Sequence, residues 1–211
     1  MKYKVVLFDL DGTLTDPQEG ICKSINYAVE HFGGQPQPLS RLTRYIGPPL
    51  RDSFAELLGE ENAAAAVAKY RERFSTVGLY ENKIYPNVKE TLELLHNKGF
   101  VLCTASSKPQ VFVEKILKYF DIDKYFTIIG GATLDGKIGE KEDVIKLVLS
   151  QLCVGSSDIV MVGDTRFDLI GADKMQLDAI GVTYGFGSRD ELSRYPHIAL
   201  IDDISHIVNL L

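Results

Sequence analysis

Cysteine is scarce in this sequence, and its few copies do not form a metal or redox motif. Cys22, Cys103 and Cys153 are far apart, and no C-x-x-C spacing occurs. Their odd number and apolar surroundings argue against a cysteine-based metal cluster or a redox pair. We therefore expect three reduced thiols in the core of a cytoplasmic protein.

Long apolar runs and an excess of positive charge are absent as well. Only four apolar residues, Val5–Phe8, separate the first lysines from Asp9, so we expect neither a signal peptide nor a membrane span. With 23 Lys and Arg against 29 Asp and Glu, the net charge is −6. This charge disfavours a nucleic-acid polymer or an anionic membrane surface as a partner. The sequence also has no G-x-G-x-x-G or Walker loop, which disfavours a nucleotide cofactor.

The remaining composition is that of a globular domain of ordinary size. The 211 residues are 45% hydrophobic and 25% charged. This suits one core domain, with or without a smaller insert.

The first motif is a short apolar run that ends in two acids. Val5–Phe8 has the pattern of a strand buried on both faces, and Asp9 and Asp11 follow it before Gly12. Residues two apart in an extended chain point the same way, so the two carboxylates should crowd one space. An acidic loop that caps the next helix is the alternative, and it accounts for Asp16 but not for Asp9.

A second strand pattern ends in the same way. Residues 159–162 are apolar, Asp164 follows them, and Asp168 lies one turn later at the start of a predicted helix. Together with the first pair, these acids predict a hard divalent cation, with Mg²⁺ favoured. The alternative for Asp168 is an ordinary acid at a helix N-terminus.

The rest of the chain alternates strand and helix patterns. Further strands are predicted at residues 100–105, 125–129, 179–182 and 198–201. This alternation predicts an α/β fold, with a doubly wound, Rossmann-like parallel sheet in three layers. Residues 16–82 show helical patterns alone and are too many for a crossover, so we expect an inserted all-helical cap. The predicted domains are a catalytic core of residues 1–15 and 83–211, and a cap of residues 16–82.

Two polar positions between the acidic motifs are candidate ligand contacts. Ser106 follows the predicted strand 100–105, and Ser107 and Lys108 are its neighbours. A serine turn or helix cap before the next helix is an equal alternative for Ser107. Lys141 begins a predicted helix that extends to Leu152, and Lys137 is a nearby rival for the same role.

These residues resemble a known family. DLDGTLTD, Ser106, Lys141 and GDTRFD resemble, in this order, the four motifs of the haloacid dehalogenase-like hydrolases, and the helical block resembles the cap of that superfamily. Dehalogenation itself is disfavoured, because those enzymes lack the second acid that Asp11 supplies.

The resemblance implies a role for each position. Asp9 would attack phosphorus to give an aspartyl-phosphate, and Asp11 would serve as general acid and base. Mg²⁺ would be held by the Asp9 side chain, the Asp11 backbone carbonyl and Asp164, with Asp168 behind them. Ser106 and Lys141 would contact the transferring phosphoryl group.

Substrate selection is expected from the cap. Arg44 and Arg51 flank a proline turn, and either could contact a second anionic group, although exposed helix charges are the alternative. IGPPL and EGICKSINYA resemble the phosphoglycolate phosphatase and 5'-nucleotidase-like branches more than β-phosphoglucomutase. We expect a phosphatase of small phosphorylated metabolites, as a monomer or homodimer. The alternatives are a phosphomutase and a non-catalytic metabolite-binding protein.

Overall fold

The computed structural model describes residues 2–211, which divide into two units. The first unit contains residues 2–15 and Ile84–Leu211, and the second contains Asp16–Lys83. The chain therefore leaves the first unit once and returns to it once. None of the helices in the described residues is both long and apolar enough to cross a membrane.

Eight strands lie within residues 2–211. They are β1 (Val5–Phe8), β2 (Thr15–Asp16), β3 (Lys83–Ile84), β4 (Val101–Pro109), β5 (Phe126–Ala132), β6 (Ile159–Gly163), β7 (Asp178–Val182) and β8 (Ala199–Ile201). The α-helices in the same residues are α1 (Gln18–His31), α2 (Leu39–Leu42), α3 (Leu50–Leu58), α4 (Glu60–Arg73), α5 (Val88–Asn97), α6 (Gln110–Tyr119), α7 (Lys141–Leu149), α8 (Arg166–Lys174) and α9 (Arg189–Leu192).

The first unit is built on a parallel sheet with the strand order β5-β4-β1-β6-β7-β8. β1 lies in the middle, and Leu7 is paired with Cys103 on one side and Met161 on the other. All four residues of β1 are fully buried, so both of its faces are covered. Helices α7 and α8 pack on the face that includes Leu7. The doubly wound parallel fold predicted from the sequence is confirmed.

The second unit is helical. Ala63 and Ala66 are fully buried in α4, which packs against α1 and α3. Small side chains let these helices approach closely. In this unit the guanidinium of Arg73 donates two hydrogen bonds to the Glu81 carboxylate, at 2.7 and 3.0 Å. These bonds hold the pKa of Glu81 below its usual value.

Strand β4 is longer than the sequence predicted. The expected end at residue 105 is wrong, because β4 continues through Ser106 to Pro109. A pair of glycines in β5 makes this possible. A Cβ on Gly131 would lie 2.6 Å from the Cα of Gln110, so only glycine allows the two strands to run side by side this far.

Two further expectations are wrong. Cys153 is exposed, while Cys22 and Cys103 are buried as predicted. Leu152 was expected inside the helix that begins at Lys141, but α7 ends at Leu149, which puts Cys153 in the loop that follows. All three cysteines are free thiols.

Candidate active site

The predicted acids lie at one edge of the sheet, beyond the carboxyl ends of β1 and β6. Asp9 and Asp11 follow β1, and Asp164 follows β6. Because β1 and β6 are parallel neighbours, both strands direct the following residues to the same crevice. The backbone N–H of Asp9 donates to the carbonyl of Val162 at 2.9 Å, which fixes the first acid beside β6.

Three buried carboxylates form the centre of this crevice. One oxygen from each of Asp9, Asp164 and Asp168 lies within 4.8 Å of the other two. Burial and the charge of neighbouring carboxylates raise the pKa of Asp164 above its usual value. Burial also raises the pKa of Asp168. A cluster of this kind is unfavourable unless cations compensate it.

Lys141 supplies one of the compensating charges. Its ammonium lies 2.8 Å from an oxygen of Asp9 and 2.8 Å from an oxygen of Asp168, and it donates to the carbonyl of Ala105 at 2.9 Å. Burial alone would lower the pKa of Lys141, but the two carboxylates raise it above its usual value. The rival Lys137 is an exposed residue paired with Asp135. The structure therefore brings Lys141, and not Lys137, to the acids.

The two oxygens of the Asp168 carboxylate contact different parts of the structure. Its Oδ2 accepts hydrogen bonds from the backbone N–H and the hydroxyl of Thr165, at 3.0 and 2.9 Å, and so caps α8. Its Oδ1 faces Lys141. The carboxylate approaches β6 so closely that a Cβ on Gly163 would lie 2.2 Å from its Cγ. Asp168 is therefore both an acid at the start of a helix and a member of the carboxylate cluster.

Asp164 is held by donors from two loops. Thr13 donates its hydroxyl hydrogen to Oδ1 at 3.3 Å, and the backbone N–H of Phe186 donates to Oδ2 at 2.8 Å. Two glycines leave room for this carboxylate. A Cβ would lie 2.0 Å from Oδ2 if added to Gly12 and 2.4 Å from it if added to Gly185. Asp164 is therefore fixed in one orientation.

Asp11 lies apart from the other three carboxylates and has its own cation. The ammonium of Lys108 is 2.6 Å from Asp11 Oδ2, and both side chains are nearly buried. Within residues 2–211 no donor forms a hydrogen bond to Asp11 Oδ1, which is also buried. Burial raises the pKa of Asp11, and the charge of Lys108 offsets part of that rise.

The two serine candidates differ in exposure. Ser106 is buried, and its hydroxyl oxygen accepts a hydrogen bond from the backbone N–H of Lys108 at 3.3 Å. Ser107 is half-buried. Both belong to the last residues of β4, the neighbour of β1, so they lie at the same edge of the sheet as the acids.

The two cap arginines make contacts within the helical unit. Arg44 donates to the hydroxyl of Tyr45 at 2.9 Å and forms an ion pair with Glu56. Arg51 forms an ion pair with Glu60. Both arginine side chains are exposed. Exposed ion pairs contribute little to stability, so both guanidinium groups can change partners at low cost.

Sequence reasoning did not assign the two donors of Asp164 to the acidic site. Thr13 lies in the DGT of the first motif, where a hydroxyl after a glycine turn is the available signal. Phe186 contributes a backbone N–H, which any residue could supply, so its side chain carries no signal. Tyr184 helps to hold Thr13 beside Asp164, because its hydroxyl donates a hydrogen bond to the backbone carbonyl of Thr13 at 2.8 Å.

Known proteins resemble this chain over almost its whole length. The sequence profile of the family described as haloacid dehalogenase-like hydrolase matches residues 6–182. A 5'-nucleotidase from Pseudomonas aeruginosa is 41% identical over 100% of this chain and 96% of its own length. The tyrosine-protein kinase PtkA from Mycobacterium tuberculosis is 34% identical over 95% of this chain and 71% of its own length. The crystal structure of "a predicted phosphatase" from Clostridium acetobutylicum is 43% identical, with a TM-score of 0.94, and the match covers 100% of this chain and 98% of that one.

Proposed function

Because the chain belongs to the haloacid dehalogenase-like hydrolase family, as its motifs predicted, we propose that it is a Mg²⁺-dependent phosphatase of small phosphate monoesters. One observation supports this proposal above the others. Asp9 and Asp11 are two residues apart but have different surroundings. Asp9 belongs to the carboxylate cluster with Lys141, whereas Asp11 pairs with Lys108. Two acids in different environments suit two different chemical roles.

Asp9 is the nucleophile in this proposal. One of its carboxylate oxygens attacks phosphorus and forms an aspartyl-phosphate, while the bond from phosphorus to the ester oxygen breaks. Asp11 gives its proton to the leaving ester oxygen, which departs as an alcohol. In the second step Asp11 takes a proton from water, the resulting hydroxide attacks phosphorus, and the bond to Asp9 breaks. Inorganic phosphate is then released, and both acids return to their starting state.

A divalent cation fits the residues that are present. Lys141 contributes one positive charge to a cluster of three buried carboxylates, so a second cation would compensate the carboxylate charge that this lysine does not. Hydrolases of this family typically use Mg²⁺. We propose that the Asp9 side chain, the Asp11 backbone carbonyl and Asp164 hold the ion, with Asp168 behind them. The ion would neutralise charge between the nucleophile and the phosphate oxygens.

Phosphate itself would be contacted by groups at the ends of β4 and α7. The hydroxyl of Ser106 or of Ser107 can donate to an equatorial oxygen, and the ammonium of Lys141 adds positive charge. Lys141 also keeps the Asp9 carboxylate in a fixed position, because it contacts one of its oxygens at 2.8 Å. Lys108 is a further cation at the same edge of the sheet.

We propose the helical unit, Asp16–Lys83, as the cap that selects substrates. Arg44 and Arg51 are its candidate substrate contacts, and both carry exposed guanidinium groups that are free to exchange their glutamate partners for a ligand. The 5'-nucleotidase relative favours nucleoside 5'-monophosphates as the first substrates to test, and phosphoglycolate is the second. We propose that the enzyme is cytoplasmic, which the three free thiols support, and that it acts as a monomer or homodimer without nucleic-acid or membrane partners.

The alternatives share the nucleophile and differ in the fate of its phosphoryl group. A phosphomutase would return the group to a sugar. A metabolite-binding protein would use neither acid chemically. Free phosphate is formed only in the hydrolytic reaction, so its release distinguishes the phosphatase from both alternatives.

The test is phosphate release from a panel of nucleoside monophosphates, phosphoglycolate, sugar phosphates and pyrophosphate, with Mg²⁺ and with chelator. We expect Mg²⁺-dependent release by the native protein and none by Asp9→Asn. Asp173→Asn is the matched control, because this acid is exposed on α8, and it should retain full activity. Release that persists in Asp9→Asn would exclude the covalent mechanism. Folded, metal-bound protein that releases no phosphate would favour the mutase, and failure of the mutase assay would favour the binding protein.

A further inference from the structure

The acids of the active site are served by two different lysines. Lys141 contacts Asp9 and Asp168, while Lys108 contacts Asp11 at 2.6 Å. Each ammonium is almost completely buried, so each was removed from water to pair with a particular carboxylate. These contacts match the difference in proposed chemical roles, because the nucleophile and the proton-transfer acid are each in direct contact with a different lysine.

The local sequence explains why Lys108 reaches Asp11. Lys108 precedes Pro109 at the end of β4, and a residue before proline favours an extended backbone. β1 and β4 are parallel and Phe8 is paired with Thr104, so the residues of β4 beyond Thr104 extend towards the side on which Asp11 follows β1. Lys108 is tied to this place by its backbone N–H, which donates to the hydroxyl of Ser106. Its ammonium is thereby brought to the carboxylate of the neighbouring strand.

The contact fixes how the Asp11 carboxylate is used. Lys108 occupies Oδ2, whereas Oδ1 is buried and accepts no hydrogen bond from residues 2–211. A buried acceptor without a donor is costly, and such groups in enzymes often serve a function. If Lys108 were absent, the carboxylate would rotate more freely about its side-chain bonds, and either oxygen could turn away from the substrate.

We propose that Lys108 is the positioning residue for proton transfer, which holds Asp11 so that Oδ1 exchanges the proton with the leaving ester oxygen and then with water. This inference rests on the proposed phosphatase function. It assigns no proton and no bond change to Lys108 itself, which acts through Asp11. It therefore predicts that Lys108 is important only while Asp11 is present.

A double-mutant cycle tests this dependence. We would measure kcat/KM for the native protein, Lys108→Met, Asp11→Asn and the double variant, using a nucleoside 5'-monophosphate and p-nitrophenyl phosphate. Lys108→Met should lower kcat/KM for the nucleotide about 10- to 100-fold, part of what general acid catalysis supplies. It should affect p-nitrophenyl phosphate far less, because nitrophenolate leaves without protonation. In the Asp11→Asn background the same substitution should change kcat/KM less than about 2-fold.

Folding does not limit the test. Removing Lys108 alone leaves a buried carboxylate unpaired and can destabilise that variant, whereas in Asp11→Asn the amide oxygen can still accept a hydrogen bond from Lys108. The double variant carries neither charge, and its comparison with Asp11→Asn does not need the single Lys108→Met protein. Lys115→Met is the matched control, because this lysine is exposed on α6, and it should retain native kcat/KM for both esters.

A second measurement separates positioning of Asp11 from direct phosphate binding. Beryllium fluoride with Mg²⁺ mimics the phosphoryl group on Asp9, and it should raise the thermal midpoint of the double variant as much as that of Asp11→Asn. A lost shift, or a further fall in kcat/KM when Lys108→Met is added to Asp11→Asn, would overturn the proposal and assign Lys108 to substrate. If the native protein releases no phosphate at all, the phosphatase function fails instead, which is a distinct result.

Discussion

Replacing Lys141 with methionine removes the only lysine that contacts Asp9 and Asp168 among residues 2–211 while keeping a side chain of similar length. The change leaves carboxylates buried without their cation and breaks the 2.9 Å hydrogen bond to the carbonyl of Ala105. Removing one partner of a buried ion pair costs about 3–5 kcal/mol. For a protein of this size, that corresponds to a fall of roughly 6–20 °C in the thermal midpoint.

The stability lost in Lys141→Met should increase with pH. Burial raises the pKa of Asp168 and of Asp164, and loss of the lysine would raise that of Asp168 further. Carboxyl groups with raised folded-state pKa values contribute stability that is fully present below their unfolded value of about 4 and lost as the pH rises through the folded value. The deficit of Lys141→Met should therefore be larger at pH 8 than at pH 5.

The assay is urea and thermal unfolding in chelator, at both pH values, beside Lys137→Met. Lys137 is exposed and pairs with Asp135 at the surface, so its substitution should change the free energy of unfolding by less than about 0.5 kcal/mol. Mg²⁺ should restore part of the stability of Lys141→Met, since a second cation would compensate the same carboxylates. Equal effects of the two substitutions, in chelator at pH 8, would refute the electrostatic account of this site.

Four other substitutions test three separate parts of the structure. Gly12→Ala should abolish tight Mg²⁺ binding, as measured by calorimetry. Gly12 has φ +85°, and an added Cβ would lie 2.0 Å from Asp164 Oδ2 and displace this carboxylate. An unchanged Mg²⁺ affinity would show that Asp164 is not a metal ligand. Glu81→Gln should destabilise the helical unit by about 1–3 kcal/mol at pH 7; since the pKa of Glu81 is lowered, the difference from the native protein should fade below about pH 4. Arg44→Ala and Arg51→Ala should raise KM for the best natural ester but not for p-nitrophenyl phosphate, and equal effects on both esters would assign these arginines to folding.

Local patterns were enough to predict the sheet. The apolar residues of β1 are followed by Asp9, and those of β6 are followed by Asp164 after one glycine. In the structure these two strands are parallel neighbours, so the acids lie at the same edge of the sheet. The end of β4 was misplaced because it is set by a distant strand. Gly131 in β5 allows pairing to continue past Ser106, and nothing near residue 105 reports this. Cys153 was placed in the core from apolar neighbours, although α7 ends before it.

The site was predictable in its acids and less so in its cations and donors. Lys137 and Lys141 were rivals, and only the path of the chain into α7 brought one of them to Asp9. The pairing of Lys108 with Asp11 depends on two side chains from strands that are far apart in sequence, so spacing could not reveal it. The N–H of Phe186 belongs to the backbone and is invisible to residue type.

The central position of β1 has a consequence for how the protein is made. β1 leaves the ribosome first, but Leu7 must wait for Cys103 and Met161 before both sides of the strand are paired. The helices of Asp16–Lys83 are complete long before that. A nascent chain therefore carries a wholly apolar strand that is unpaired until β4 emerges and paired on one side only until β6 emerges, a state that is slow to resolve and prone to association. Asp9 and Asp164 meet only when β6 has emerged, so an unfinished chain does not contain the complete acidic cluster.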